Sequence, residues 1–168
     1  VSDGGTGYAR GNARVSASPD AAGISSTPTL TQQIDAFLAA DSVREGDMLL
    51  LNGGFSDVIA QMAAVRAGAI SRDDMVRNTH AAGQEMGAQV QRLVNAGAKH
   101  VVVVGTYDLG RTPWATSIGE RDLLRTASVL NETPRTGFNT GLLSSISNLG
   151  DRVLYIDAAN YFNNLIAS

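Results

Sequence analysis

The chain is 168 residues long, 43% hydrophobic and 17% charged, with a formal net charge of −3. That length and balance suit one globular domain with a sizeable core and exclude a disordered or fibrous chain. The acidic balance gives no electrostatic footprint for nucleic acid or an anionic membrane. No apolar run reaches the ~20 residues that span a bilayer, and the lack of cysteine excludes disulfide and thiolate chemistry.

The amino terminus, Val1-Ser2-Asp3-Gly4-Gly5, has neither an initiating Met nor a charged-then-apolar signal pattern, so the chain reads as a trimmed piece of something longer. Residues 1–27 are rich in Gly, Ser, Thr and Asp. They predict loop, with Tyr8-Ala9 and Ala13-Arg14-Val15 as hints of a short strand. Thr27-Pro28 offers an N-cap and a first-turn proline, and Leu30, Ile34, Phe37 and Leu38 recur at helical spacing, which predicts a helix over 28–40. Met48-Leu49-Leu50-Leu51-Asn52 is a continuous apolar run between Gly46-Asp47 and Gly53-Gly54, the pattern of a strand buried on both faces.

A helix over 57–67 follows and stops at Gly68. Ser71-Arg72-Asp73-Asp74 resembles a capping box with Asp in place of Glu, and it opens a long helix ended by Gly97. Met75, Thr79, Ala82, Met86, Val90 and Leu93 form one stripe of that helix. A β-branched run predicts a second buried strand over 101–104, followed by a loop through Pro113. Helices over 117–131 and 134–149, a third strand over 152–156 and a last helix over 158–167 complete the pattern. Strands separated by helices of ten or more residues imply right-handed crossovers. The fold class is therefore α/β, a three-layer helix-sheet-helix arrangement on a parallel sheet in one domain.

An open parallel sheet binds ligands beyond the carboxyl ends of its strands, which directs attention to the residues after each strand. Asp57, Asp108 and Asp157 occupy such places, and each has a structural alternative: a helix-terminal charge or cap, a turn former, and an N-cap. His80 and His100 are isolated, with no second His or carboxylate at metal-ligand spacing, so both read as solvated or structural. Gly5-Thr6-Gly7-Tyr8-Ala9-Arg10-Gly11 superficially resembles a dinucleotide-binding glycine pattern, but no strand precedes it and no helix opens on it, so it reads as a turn. No Gly-x-Ser-x-Gly elbow is present. A phosphate- or nucleotide-binding reading would use Gly53-Gly54 before a helix, but no Lys or Arg follows the glycines.

Taken in order, four loops resemble those of the GDSL, or SGNH, family of esterases and lipases. Asn52-Gly53-Gly54-Phe55-Ser56-Asp57 is similar to its Gly-x-Asn-Asp block, and Gly7-Tyr8-Ala9-Arg10-Gly11-Asn12-Ala13-Arg14-Val15 to its glycine block. Tyr107-Asp108-Leu109-Gly110-Arg111-Thr112-Pro113 resembles the Pro-x-Leu-Gly-x-Thr-Pro loop of bacterial members. Phe138-Asn139-Thr140-Gly141-Leu142 and the strand Val153-Leu154-Tyr155-Ile156-Asp157 match the segment after it.

The resemblance implies a flavodoxin-like strand order and a serine ester hydrolase acting on small acyl esters or lipids. In the family, a Ser in a Gly-Asp-Ser block is the nucleophile and an Asp-x-x-His block supplies the base. Neither block is in these 168 residues. By position, the family's oxyanion hole falls on Gly11, Asn12 and Ser56, with Gly54 and Phe55 as the adjoining substrate contacts; Asp57 and Asp108 would brace the loops. Asn12 stands where the family has Gly and Ser56 where it has Asn. These departures keep open a non-catalytic SGNH-fold binding module. The resemblance implies no metal or organic cofactor, and an exported bacterial setting. It also implies that a strand bearing the nucleophile would pair with the strand ending at Asn52. Without it a long apolar edge is exposed, to be completed by missing segments or a neighbouring chain.

Overall fold

The computed structural model describes residues 7–128 and 137–166. Three parallel strands, β1 (Met48–Asn52), β2 (His100–Val104) and β3 (Val153–Ile156), form a sheet in the order β1-β2-β3. Leu50 pairs with Val102, and Val102 with Leu154. Helices flank the sheet: α1 (Leu30–Ala40), α2 (Phe55–Arg66), α3 (Arg72–Asn95), α4 (Pro113–Ser117), α5 (Arg121–Ser128), α6 (Phe138–Ile146) and α7 (Ala158–Leu165). The fold is α/β, and it is consistent with a helix-sheet-helix plan whose outer cover is incomplete.

The incompleteness lies on one sheet face. Leu51, Val101 and Val103 are buried in the core with Met86, Val90 and Leu93 of α3. The alternate residues point the other way, as a two-residue strand period requires. Met48 is 71% exposed, Leu50 69% and Leu154 58%. The predicted burial of β1 on both faces is therefore corrected: β1 is an edge strand buried on one face. A continuous apolar run cannot report which of its faces is covered, because that depends on segments remote in sequence.

The stripe predicted on α3 is buried at all six positions, and its Ser71 N-cap closes the capping box: Ser71 Oγ accepts the Asp74 N–H at 3.0 Å while Asp74 Oδ2 accepts the Ser71 N–H at 3.1 Å. Helix α3 packs on α6 almost backbone to backbone. A Cβ on Gly83 would stand 2.1 Å from the Phe138 carbonyl oxygen, and one on Gly141 2.0 Å from that of His80. Only glycine fits such an approach.

Several boundaries differ from the sequence expectation. Helix α1 starts at Leu30 with Thr29, not Thr27, as its N-cap, and Gln32 completes a capping box. Thr27 is taken instead by Asp20 Oδ2, to which its hydroxyl donates at 2.8 Å. Helix α2 starts two residues early, at Phe55, because Gly54 turns the chain with φ +98°. The loop after β2 holds one 3-10 turn, Leu109–Arg111. The predicted helix over 117–131 starts later, as α5 from Arg121 to Ser128, behind Gly119 with φ +74°; ahead of it, Pro113–Ser117 forms the unpredicted α4, and positions 129–131 lie outside the described residues. The predicted break at Glu132-Thr133-Pro134 lies outside the described residues. Helix α6 runs from Phe138, behind Gly137 with φ +83°, and ends at Ile146, short of its predicted end at Leu149; the first predicted positions, 134–136, lie outside the described residues. Residues 7–27 contain no strand among the described residues. Arg14 and Val15 instead accept main-chain N–H groups at the start of α1, from Leu30 at 2.9 Å and Thr31 at 3.0 Å.

Candidate functional site

The carboxyl ends of all three strands lie at one edge of the sheet, as parallel pairing requires. Beyond β1, Gly54 forms the N-cap of α2, and Ser56 and Asp57 occupy its first turn. Ser56 is 9% exposed, and its hydroxyl has no hydrogen-bond partner among the described residues. Asp57, 2% exposed, is fully engaged. Its Oδ2 accepts the Val15 N–H at 2.9 Å and its Oδ1 accepts from Arg14 Nε at 3.2 Å. Burial pushes the Asp57 carboxyl above its ordinary value. The Val15 N–H and the Arg14 guanidinium oppose that push, and the charge of Glu85 adds to it.

Asp57 thus fastens the segment after Gly11 and Asn12 to the start of α2. Glu85 of α3 adds a second tie, accepting the Ser16 hydroxyl. Gly11 and Asn12 form an exposed turn, and Asn12 has φ +62°, the left-handed conformation that asparagine tolerates better than most residues. No hydrogen bond joins Gly11 or Asn12 to Ser56 among the described residues. The two loops meet through Asp57, one residue beyond Ser56.

Gly54 is buried: a Cβ there would lie 2.5 Å from Phe138 Cε1. Its role on this geometry is to let the β1 loop close onto α6. Phe55 is half-buried and packs on Tyr107 with ring centroids 4.7 Å apart. Tyr107 packs in turn on Phe162 of α7, also at 4.7 Å. This three-ring stack joins the segments after β1, β2 and β3. Tyr107 and Phe162 were not singled out from the sequence, although the position of Tyr107 three residues past a buried strand was a usable signal.

The β2 loop is held by a buried amide. Asn139 Oδ1 accepts the Thr106 N–H at 2.8 Å, and Asn139 Nδ2 donates to the Thr106 carbonyl at 2.7 Å. The Thr106 hydroxyl donates to the Ser128 carbonyl at 2.9 Å. Asp108 accepts the Gly110 N–H at 3.0 Å and pairs with Arg125 at 3.5 Å, so it braces the turn. Asp157 caps α7 through the Asn160 N–H at 2.9 Å. The structural alternative therefore holds for all three strand-end carboxylates.

The chain matches no protein-family model and no curated protein. Among the described residues, no group of three or more His, Cys, Asp or Glu could hold a metal ion. His100 is exposed at the start of β2. His80 lies in the α3–α6 contact, and its Nδ1, fully shielded from solvent, has no partner among the described residues. At the sheet edge, Ser56 and the N-terminal turn of α2 thus lie next to Asp57, which fastens the Arg14-Val15 segment.

Proposed function

We propose that the chain is the central part of a GDSL-type serine ester hydrolase acting on acyl esters or lipids. The observation that carries this reading is the Asp57 clamp. It holds the Arg14 and Val15 main chain, and with it the Gly11-Asn12 turn, beside the helix start that bears Ser56. In this reading the main-chain N–H groups near Gly11 and Asn12, together with Ser56, serve the oxyanion. Phe55, with Tyr107 behind it, supplies an apolar contact for substrate. The nucleophilic Ser and the His base belong to segments outside these 168 residues.

The same fold could serve binding alone, and the burial of Ser56 with its short hydroxyl favours that second reading. An anion site at Gly53-Gly54 lacks support, because the buried carboxylate of Asp57 occupies the first turn of α2 and its one guanidinium partner, Arg14, is already engaged. Among the described residues, no helix is long and apolar enough to cross a membrane.

Hydrolysis of a chromogenic short-chain ester tests the proposal. The 168-residue chain is expected to leave the ester at its uncatalysed rate, since loss of a triad serine costs on the order of 10⁶ in rate. Protein made from the full reading frame is expected to hydrolyse it, and Ser56→Ala in that protein to cost about 10²–10³ in kcat. Turnover by the shorter chain that Ser56→Ala abolishes would make Ser56 the nucleophile. No turnover by the longer protein would leave the binding-module reading.

A further inference from the structure

A cleft of about 520 Å³ that Ser56 does not line is bordered by Arg72, Arg111, Arg121 and Arg125, with Glu120 and Asp122 as its only carboxylates among the described residues. Four of the chain's 13 basic residues line one cleft in a protein that is acidic overall. They come from separate elements: Arg72 opens α3, Arg111 ends the 3-10 turn after β2, and Arg121 and Arg125 lie on α5. Gly110 makes the convergence possible. A Cβ there would lie 2.2 Å from the Arg121 carbonyl oxygen and 2.7 Å from Arg125 Cβ, so α5 rests directly on the 3-10 turn.

Among the described residues, the guanidinium groups of the cleft outnumber the carboxylates near them, which are Asp108, Glu120 and Asp122. Arg125 pairs with the buried Asp108 at 3.5 Å, and Glu120 is engaged by Arg66 at 3.2 Å. Arg111 donates only to a neutral amide oxygen, that of Asn163 at 2.8 Å, and Arg121 Nε only to the Gly110 carbonyl at 3.3 Å. Arg72 has no partner among the described residues. Among the described residues, Arg72, Arg111 and Arg121 thus have no hydrogen-bonded carboxylate; Arg111 and Arg121 lie within the field of the buried Asp108, which Arg125 already pairs, and Asp122 is the lining carboxylate without a partner.

We propose that this cleft binds the phosphate group of a small anionic ligand between Arg72, Arg111 and Arg121. A carboxylate presents two coplanar oxygens, which one guanidinium fork satisfies. A phosphate presents three oxygens in different directions and about two negative charges near neutral pH, which matches forks arriving from three elements. The volume lies within the range of ordinary small-molecule pockets, so a compact group attached to the phosphate fits as well. Among the described residues, Val65 and Leu123 are the only sizeable apolar side chains bordering it, so that group is polar. The cleft is distinct from the Ser56 region, and its occupancy does not depend on ester hydrolysis.

Titration of the ¹⁵N-labelled chain with inorganic phosphate, phenyl phosphate and succinate at matched ionic strength tests the assignment. Both phosphates are expected to shift the arginine Nε–Hε signals of the cleft saturably, and to bind more tightly than succinate. Arg72→Gln and Arg121→Gln are each expected to weaken phosphate binding about tenfold or more. Asp122→Asn is expected to strengthen it about two- to fivefold by removing a repelling charge. All three residues are exposed, so thermal melts serve as the check on folding. Shifts that do not saturate, succinate binding as tightly as phosphate, or an equal loss on Arg44→Gln at a remote surface would each overturn the proposal.

Discussion

The carboxylate of Asp57 accepts the main-chain N–H of Val15 at 2.9 Å and so joins two segments 42 positions apart in the chain. Both groups are buried, and the second carboxylate oxygen is occupied by Arg14. Asp57→Ala would leave the Val15 N–H buried without an acceptor. A buried donor left unsatisfied costs about 1–3 kcal/mol. The expected outcome in urea unfolding is an unfolding free energy lowered by that amount, with Asp57→Asn, which keeps one acceptor oxygen, falling between.

The buried carboxylates also set a pH dependence whose sign differs between sites. Burial holds Asp57 and Asp108 above the ordinary value of 3.8, so the folded chain takes up protons there at a higher pH than the unfolded chain does. Their contribution therefore favours folding as pH falls through the raised values, and the gain is complete below 3.8. Asp20 runs the other way. Hydrogen bonds from Ile24, Thr27 and Ala22 hold its carboxyl below 3.8, so its stabilisation is full above that value and is lost as pH falls through the lowered one. Urea unfolding at a series of pH values is expected to show the wild type gaining on Asp57→Asn as pH falls, and losing its advantage over Asp20→Asn below 3.8.

Gly54 and Phe138 form a second long-range pair. With φ +98° and a would-be Cβ 2.5 Å from the ring, Gly54→Ala combines backbone strain with a clash. The expected loss is about 1–3 kcal/mol. Phe138→Leu, which opens space at the ring, should make Gly54→Ala less costly. A double-mutant cycle is the measurement, and additive losses would show that the two do not interact.

Leu50 projects from the middle of an edge strand and stands in one row with Val102 and Leu154. An uncovered apolar edge and face invite pairing between chains. Concentration-dependent association is expected in light scattering. Leu50→Lys is expected to reduce it while leaving unfolding stability within about 0.5 kcal/mol, because the side chain is already exposed.

Much of the local structure was legible. The capping box at Ser71 and Asp74, the buried stripe from Met75 to Leu93, and the three strands all follow from short-range patterns that local sterics and hydrogen bonding enforce. The bracing roles of Asp57, Asp108 and Asp157 were legible as alternatives, since aspartate at a helix start or turn commonly serves the backbone. The N-cap of α1 was misread at Thr27 because Asp20, seven residues earlier, competes for that hydroxyl. The resemblance expects Gly54 to touch substrate; its close approach to Phe138, 84 positions later, is not legible in any short-range pattern.

The sequence by itself determined the class of fold and the order of its elements, because helical and strand periods, caps and glycine stops act over a few residues. Only the tertiary structure decided which sheet face stays open, which carboxylates are consumed in bracing, that Phe55, Tyr107 and Phe162 stack, and that four arginines from three elements share one cleft. Each of these depends on segments far apart in the chain coming into contact. Close packing and desolvation settle that contact in the folded state, and no local pattern of residues records it.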